Sequence, residues 1–179
     1  SDTTMFTFAH FVSELDSLRA HLGLEKVHVL GHSWGTMLGI EYYRAHPTRV
    51  ASLTFGSAVF DVPAYARHAK ELLKSLPDST QRAIIRAEAA GEFESPAYQN
   101  AISQFYALYV WRHPVAADLD STFATVNQAI YMYMQGPSEF TITGTFKDYN
   151  VTSFLPHITV PTLFTVGEFD EVGPELIKS

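Results

Sequence analysis

The sequence contains no cysteine, and this absence removes several kinds of chemistry at once. Disulfide bonds, metal sites built on cysteine and a thiol nucleophile are all excluded. A chain without cysteine suits a reducing compartment. We therefore expect a cytoplasmic protein, although a signal peptide upstream of residue 1 is compatible with the sequence.

Long apolar runs and excess positive charge are also missing. No stretch of 18 apolar residues is present, so no transmembrane helix is expected. The formal net charge of −7 argues against nucleic acid or an anionic membrane as a partner. With 46% hydrophobic residues among 179, the chain has enough apolar side chains for a globular core.

The sequence is organised around residues 27–38, VHVLGHSWGTML. An apolar, β-branched run leads into Gly-x-Ser-x-Gly, and an apolar segment of helix-forming residues follows. In α/β-hydrolases this pattern is the nucleophile elbow, a tight turn that exposes the serine Oγ between a strand and a helix. We predict Ser33 as the nucleophile and the N–H of Trp34 as an oxyanion donor. Gly31 and Gly35 are expected because side chains there would collide. The alternative is a Gly/Ser turn such as any α/β protein contains.

The flanking segments predict a strand–helix–strand unit. Helical spacing predicts a helix from about Thr7, as N-cap, to His21. A buried strand at 24–31 then leads into the elbow, a helix follows Ser33 and ends before residue 46, and a second strand covers 50–55. This order places the elbow at the carboxyl edge of a parallel sheet.

Residues 59–150 change in character, since helical patterns dominate and aromatic residues concentrate there. We predict helices at 63–76, 79–90, 95–113 and 117–134, starting at Pro, Ser or Asp signals. Most of the aromatic residues are expected to form a helical core. The sequence thus predicts an α/β core at 1–58, a helical cap at 59–150 that roofs the active site, and a return to the core at 151–179.

The acid of a catalytic triad is predicted just after the last strand. Residues 160–166 form a continuous apolar run that ends in GEFDE. Asp170 follows Ser33 in the chain order that this fold uses, and would orient the catalytic histidine. The alternative is a solvated loop aspartate.

The expected base is missing, because none of the eight histidines follows Asp170. His157 is a poor substitute, since it precedes the last strand. The glycine-rich loop that supplies a second oxyanion donor is also not seen. The chain begins without Met, and its last residues read as the start of a helix. We therefore expect a partial chain, inactive by itself, with the histidine beyond residue 179 and the second donor before residue 1.

Three segments together resemble the proline iminopeptidases, in particular the branch of the tricorn-interacting aminopeptidase and related amino-acid amidases. They are residues 31–38 (GHSWGTML), 134–140 (MQGPSEF) and 166–172 (VGEFDEV). The resemblance implies an α/β-hydrolase core with a helical cap. It also implies release of an N-terminal residue, often proline, from short peptides or amino-acid amides through an acyl-enzyme.

The same resemblance implies how the substrate is held. An aminopeptidase binds a cationic α-amine, for which buried carboxylates are natural partners. Glu139 and Glu171 match the amine-anchoring positions, and Tyr131 matches the small apolar pocket for the first side chain. From the residues alone, Glu139 would be a turn residue and Glu171 a surface charge.

The sequence therefore predicts a serine aminopeptidase that needs no cofactor or metal. An esterase or amidase acting on neutral acyl substrates is the nearest alternative. A non-catalytic homologue that only binds a ligand is the alternative from another class. The oligomeric state is not indicated by the sequence.

Overall fold

Three parallel strands form the sheet that carries the predicted elbow. The computed structural model describes residues 3–113 and 117–178. In it, β1 (Val27–His32) pairs with β2 (Val50–Gly56), and β2 pairs with β3 (Thr162–Thr165). The register places Leu30 opposite Thr54. Because all three strands run the same way, their carboxyl ends meet at one edge of the sheet.

The chain folds into two compact units. The first comprises Ser1–Val62, Tyr149–Glu168 and Val172–Ser179, and the second comprises Pro63–Asp148 and Phe169–Glu171. The first unit contains the sheet and the second contains most of the helices. The role of the helical residues as a cap stays a prediction.

In the first unit, helices pack beside the sheet. They are α1 (Phe8–His21), α2 (Trp34–Ala45) and α8 (Pro174–Lys178), with short 3-10 helices at Pro47–Arg49 and Thr152–His157. Thr7 accepts a hydrogen bond from the N–H of His10, which confirms the predicted N-cap. The core of this unit brings α2 and β2 together through Ile40, Tyr42, Val50, Leu53 and Phe55.

The second unit contains five helices among its described residues. They are α3 (Val62–Leu73), which begins at the last residue of the preceding segment, α4 (Asp78–Ala90), α5 (Pro96–Tyr109), α6 (Ala117–Ala124) and α7 (Gln128–Met134). Its core joins α4 and α5 to the segment after α7 through Ile84, Tyr98, Ala101, Phe105 and Phe140. Phe105 lies in this core and Tyr106 and Tyr109 pack against it, whereas Phe123 and Tyr133 are exposed. The expected aromatic core is therefore correct for only part of these residues.

Two predicted helix bounds are wrong. The single helix expected at 117–134 is two helices, because Asn127 caps α7 by accepting from the N–H of Ile130. The helix expected to reach His113 ends at Tyr109. There the N–H groups of Val110 and Trp111 both donate to the carbonyl of Tyr106, and the chain leaves the helix. Pro114, the expected stop signal for this helix, lies outside the described residues.

No helix in the described ranges combines the length and the apolar character that crossing a membrane requires.

Candidate active site

Ser33 occupies the turn between β1 and α2 with an unusual backbone conformation. Its φ of 52° and ψ of −122° lie outside the regions that non-glycine residues prefer. The N–H of Ser33 donates to the carbonyl of Gly56 at the end of β2, over 3.0 Å, so the neighbouring strand holds the turn. Such strain costs about 1–3 kcal/mol and is typical of functional sites.

The two glycines of the motif serve different purposes. A Cβ on Gly31 would overlap the carbonyl group of Gly35, at 2.6 Å from its carbon, which is closer than a side chain tolerates. A Cβ on Gly35 itself would meet nothing within 4 Å. The prediction that a side chain would collide is therefore correct for Gly31 and wrong for Gly35. The strand and the helix come closest where the backbone of Gly35 approaches the Cα of Gly31.

The buried side chain of Thr36 stabilises the turn through two hydrogen bonds. Its buried hydroxyl donates to the carbonyl of Ser33 over 2.6 Å and accepts from the N–H of Val59 over 3.0 Å. One side chain thus connects the first turn of α2 to the segment after β2. The turn is held at its two ends, by Gly56 and by Thr36.

Trp34 is the first residue of α2, a helix of 12 residues. An N–H at this position has no acceptor within its own helix and lies at the positive end of the helix dipole. The indole ring stacks on Phe8 and meets Phe11 edge-on, with ring centroids 6.1 and 5.2 Å away. These contacts from α1 fix the side chain while its backbone N–H stays at the helix start.

The loop after β3 carries Asp170 and Glu171, and both residues belong to the second unit. The guanidinium of Arg112 lies over the ring of Phe169, 3.7 Å from its centroid. The N–H of Glu171 donates to the carbonyl of Tyr109 over 3.2 Å. These contacts anchor both sides of Asp170.

The carboxyl group of Glu139 accepts two side-chain hydrogen bonds within the second unit. The hydroxyl of Tyr131 donates to its Oε1 over 2.8 Å, and the Nε2 of Gln135 donates to its Oε2 over 3.1 Å. Both donors come from α7 or its C-cap. Burial raises the pKa of Glu139, while the hydrogen bond from Tyr131 acts in the opposite direction.

Glu171 and Tyr65 each bury a polar atom that lacks a well-formed hydrogen bond. Neither Glu171 Oε2 nor the Tyr65 hydroxyl makes a hydrogen bond of ordinary geometry to a described residue, although the Tyr65 hydroxyl lies near both carboxyl groups and acts to lower the pKa of each. Burial, followed by the charge of Glu139, raises the pKa of Glu171 well above its usual range. Burial likewise raises the pKa of Tyr65, with Glu139 and Glu171 adding to the effect. The two carboxyl groups therefore share one desolvated region.

No cation balances this pair in the described part of the chain. The ion pairs found there involve other acids, and the groups that act on the pKa of Glu139 and Glu171 are carboxyls and phenols. Buried carboxylates without a cation are costly. The arrangement suits a ligand that brings positive charge and N–H donors.

A second polar network holds the loop that carries Glu139. Ser138 is fully buried, and its Oγ accepts from the Tyr98 hydroxyl over 3.3 Å and from the N–H of Thr141 over 3.1 Å. Gly136 has a φ of 127°, and a Cβ there would lie 2.6 Å from the carbonyl oxygen of Thr141. The Gly-Pro part of this motif thus forms a tight loop whose shape is set from both sides.

The predicted site residues fall into two groups. Gly31, Ser33, Trp34 and Gly35 lie together in the first unit, whereas Tyr131, Glu139, Asp170 and Glu171 lie in the second. Sequence reasoning missed Tyr65 and Gln135 and assigned Tyr106 to the core. For Gln135 a signal existed, because it lies inside the MQGPSEF segment. Among the described residues, no three His, Asp or Glu side chains form a group that could hold a metal ion.

Comparison with known proteins places these features in a family. A family model described as alpha/beta hydrolase fold matches residues 1–177. The chain belongs to this family. The α/β-hydrolase fold predicted from the elbow and the parallel strands is therefore confirmed.

Among its relatives, this α/β-hydrolase is similar to proline iminopeptidases. It is 39% identical to that of Heyndrickxia coagulans over 97% of the chain and 61% of the relative. It is 38% identical to that of Saccharolobus solfataricus over 96% of the chain and 56% of the relative. The resemblance predicted from three short segments is thus confirmed over nearly the whole sequence.

Two solved structures are also similar to this chain. The crystal structure of a proline iminopeptidase from Mycobacterium smegmatis matches 99% of this α/β-hydrolase with a TM-score of 0.87 and 34% identity. The crystal structure of VinJ matches 99% with a TM-score of 0.94 and 31% identity. The chain covers 60% and 62% of those two proteins, so it spans about three fifths of their length.

Proposed function

We propose that the chain carries the nucleophile, the acid and the amine-binding residues of a serine aminopeptidase. This enzyme would release the N-terminal residue, proline among others, from short peptides or amino-acid amides. Ser33 is the nucleophile, the Trp34 N–H donates to the oxyanion, and Asp170 orients the histidine. None of the eight histidines of the chain is assigned to the base, which we place in sequence outside these 179 residues.

One observation carries the proposal: two desolvated carboxyl groups, those of the half-buried residues Glu139 and Glu171, have no cationic partner among the described residues. A free α-ammonium group supplies the missing charge together with N–H donors, two in proline and three in a residue with a primary amine. It would donate to Glu171 Oε2, which no described residue reaches with a hydrogen bond of ordinary geometry. A peptide with a blocked N-terminus would supply neither. The similarity to proline iminopeptidases points to the same class of substrate.

The reaction follows from the proposed roles. Ser33 Oγ attacks the carbonyl carbon of the first residue while the histidine takes the serine proton. The oxyanion accepts a hydrogen bond from the Trp34 N–H, and the strained turn keeps Oγ in place. The C–N bond breaks as the histidine returns the proton to the leaving amine. Water then hydrolyses the acyl-enzyme by the same route, releasing the amino acid and regenerating Ser33.

The test uses the full-length gene product, with any flanking sequence that it encodes. Proline p-nitroanilide, its N-acetylated analogue and p-nitrophenyl acetate are assayed side by side, with Ser33→Ala as the control. Hydrolysis of the free-amine anilide, lost in the control and not seen with the blocked analogue, is the expected result.

Other outcomes would identify the alternatives. Hydrolysis of the ester together with equal hydrolysis of free and blocked anilides would indicate an esterase or amidase for neutral substrates. A folded protein that hydrolyses none of the three would indicate a non-catalytic homologue.

A further inference from the structure

The second unit contains a cavity of about 410 Å³. It is partly open to solvent, is lined by residues from Phe93 to the loop after α7, and lies within one unit. Its walls are mostly apolar and aromatic, with Phe93, Ile102, Tyr106, Trp111, Phe123 and Tyr131 among them. This volume is in the range of pockets that enclose small-molecule ligands.

The polar residues that line the cavity are Glu94, Gln99, Gln128 and two residues already assigned to the substrate site. Glu139 and Tyr131 line it, and their side chains share the 2.8 Å hydrogen bond described above. Tyr106 also lines it, and its ring meets that of Trp111 edge-on, with centroids 4.9 Å apart. Trp111 in turn contacts Phe123, again at 4.9 Å. A chain of rings therefore leads away from the carboxylate.

The size of this cavity does not match the small pocket expected at Tyr131. A proline side chain consists of three methylene groups and would leave most of 410 Å³ unfilled. Unfilled apolar space forfeits the contacts that a larger ligand would gain. An aromatic ring or a long aliphatic chain fills more of this space and can contact the rings of Trp111 and Phe123.

We propose that this cavity binds the side chain of a first residue larger than proline, aromatic or long aliphatic, whose ammonium group lies on Glu139. This inference rests on the proposed aminopeptidase function and adds its substrate class. Phe93, Trp111, Phe123 and Val126 then determine specificity, while Glu139 binds the part that all substrates share. The ligand class is a primary amine with a bulky apolar body.

Binding without turnover gives the first test. Trp34→Phe leaves Trp111 as the single tryptophan, since the chain has two, so its emission reports on this cavity. Phenethylamine, pyrrolidine and 2-phenylethanol are titrated into that variant. Phenethylamine should bind about tenfold or more tighter than pyrrolidine, which lacks the ring, and than 2-phenylethanol, which lacks the charge.

The second test is a substitution that fills part of the cavity. Val126→Phe adds a ring inside the cavity and should weaken phenethylamine about tenfold or more while changing pyrrolidine little. Ile85→Phe is the matched control, because Ile85 is 67% exposed on α4 and does not line the cavity. Should Val126→Phe not fold, Met132→Phe narrows the same cavity from a residue that is 40% exposed.

The outcomes separate this inference from the proposed function. The cavity assignment would be overturned if pyrrolidine bound as tightly as phenethylamine, or if Val126→Phe and Met132→Phe left the affinity for phenethylamine unchanged. This holds even if proline p-nitroanilide is hydrolysed. Tight, Val126-dependent binding of phenethylamine would support it even if the full-length protein hydrolyses no anilide. In a hydrolysing enzyme, kcat/KM for phenylalanine p-nitroanilide should exceed that for proline p-nitroanilide, and Val126→Phe should reverse the order.

Discussion

Gln135 donates from its Nε2 to Glu139 Oε2 over 3.1 Å, opposite the Tyr131 hydroxyl that donates to Oε1. Gln135 is itself buried, and its backbone N–H caps α7. Glu139 is therefore held by two neutral donors at the end of one short helix. Neutral donors orient a carboxylate and leave its charge available for a cationic ligand.

Replacing Gln135 with leucine should impair amine binding without touching the nucleophile. The change removes one hydrogen bond to a charged group, worth about 1.5–3 kcal/mol, and so raises the pKa of Glu139 further. KM for a free-amine anilide should rise about tenfold or more, and the acid limb of kcat/KM should move to higher pH. Gln81→Leu is the control, because the Gln81 amide bonds to the backbone carbonyls of Lys74 and Leu76. An unchanged pH profile would contradict the role given to Gln135.

Glu139→Gln should separate amine-bearing substrates from esters. If the ion pair with the substrate is buried, removing one charge costs roughly 2–5 kcal/mol in kcat/KM for proline p-nitroanilide. Hydrolysis of p-nitrophenyl acetate should barely change, because that substrate has no ammonium group. Glu92→Gln, at an exposed position of the same unit, should alter neither rate. Equal losses on both substrates would remove Glu139 from amine binding.

The stability of the ligand-free protein should decline with rising pH because of Glu171. Burial raises the pKa of this carboxyl well above its ordinary 4.5. The folded state then holds a proton that the unfolded state releases, so the free energy of unfolding is largest below the ordinary pKa and falls as the pH passes through the raised one. Glu171→Gln should therefore flatten the pH dependence and raise Tm at pH 8 relative to the parent.

Thermal denaturation at pH 5 and pH 8 checks this expectation. Glu175→Gln is the matched control, since Glu175 is exposed on α8 and pairs with Lys178. A Glu171→Gln variant that lowers Tm equally at both pH values would show that the residue does not titrate as expected.

The two elbow glycines should respond differently to alanine. Gly31→Ala forces a Cβ to 2.6 Å from a backbone carbonyl carbon, and such overpacking costs about 1–3 kcal/mol or more. Gly35→Ala meets no atom within 4 Å and replaces a helical glycine, so it should leave Tm unchanged or raise it by the helix propensity of alanine. Urea denaturation of both variants distinguishes them. Equal destabilisation would show that the strand-to-helix approach differs from the one described.

Thr36→Val should loosen the turn that presents Ser33. It leaves the carbonyl of Ser33 and the buried N–H of Val59 without the Thr36 hydroxyl, at a cost of about 1–3 kcal/mol. The turn then loses its connection to the N–H of Val59 and keeps the backbone bonds of Ser33 to Gly56 and to the Thr36 N–H. Because the turn is less firmly held, kcat on an ester should also fall. Thr48→Val, at an exposed position of the same unit, serves as control. A loss of stability with unchanged kcat would limit Thr36 to a structural role.

The sequence predicted those parts of the structure that depend on interactions between residues close to each other in the chain. The elbow, the strands and the helices beside it follow from local patterns, and the structure differs from them by a few residues at their ends. The break in the helix predicted at 117–134 depends on Asn127 acting as an N-cap. A single polar residue within an apolar helical pattern does not indicate that a new helix begins there.

The site was predictable only in part, for the same reason. Tyr65, Glu139 and Glu171 share one desolvated region although they are far apart in sequence, and no local spacing connects them. Glu139 and Glu171 were selected by resemblance to a family, while Tyr65 had no signal of its own. Their roles, and those of Ser33 and Asp170, stay predictions until the variants are measured.

The unpartnered oxygen of Glu171 has a practical consequence. A ligand-free protein with buried, unsatisfied polar atoms gains stability from any molecule that satisfies them, and the gain grows with the logarithm of the ligand concentration over Kd. Small amines should therefore act as stabilising additives during purification and crystallisation. A melting-temperature screen over a panel of amines would rank the chemical groups that fit the site, and so describe the natural substrate before any reaction has been observed.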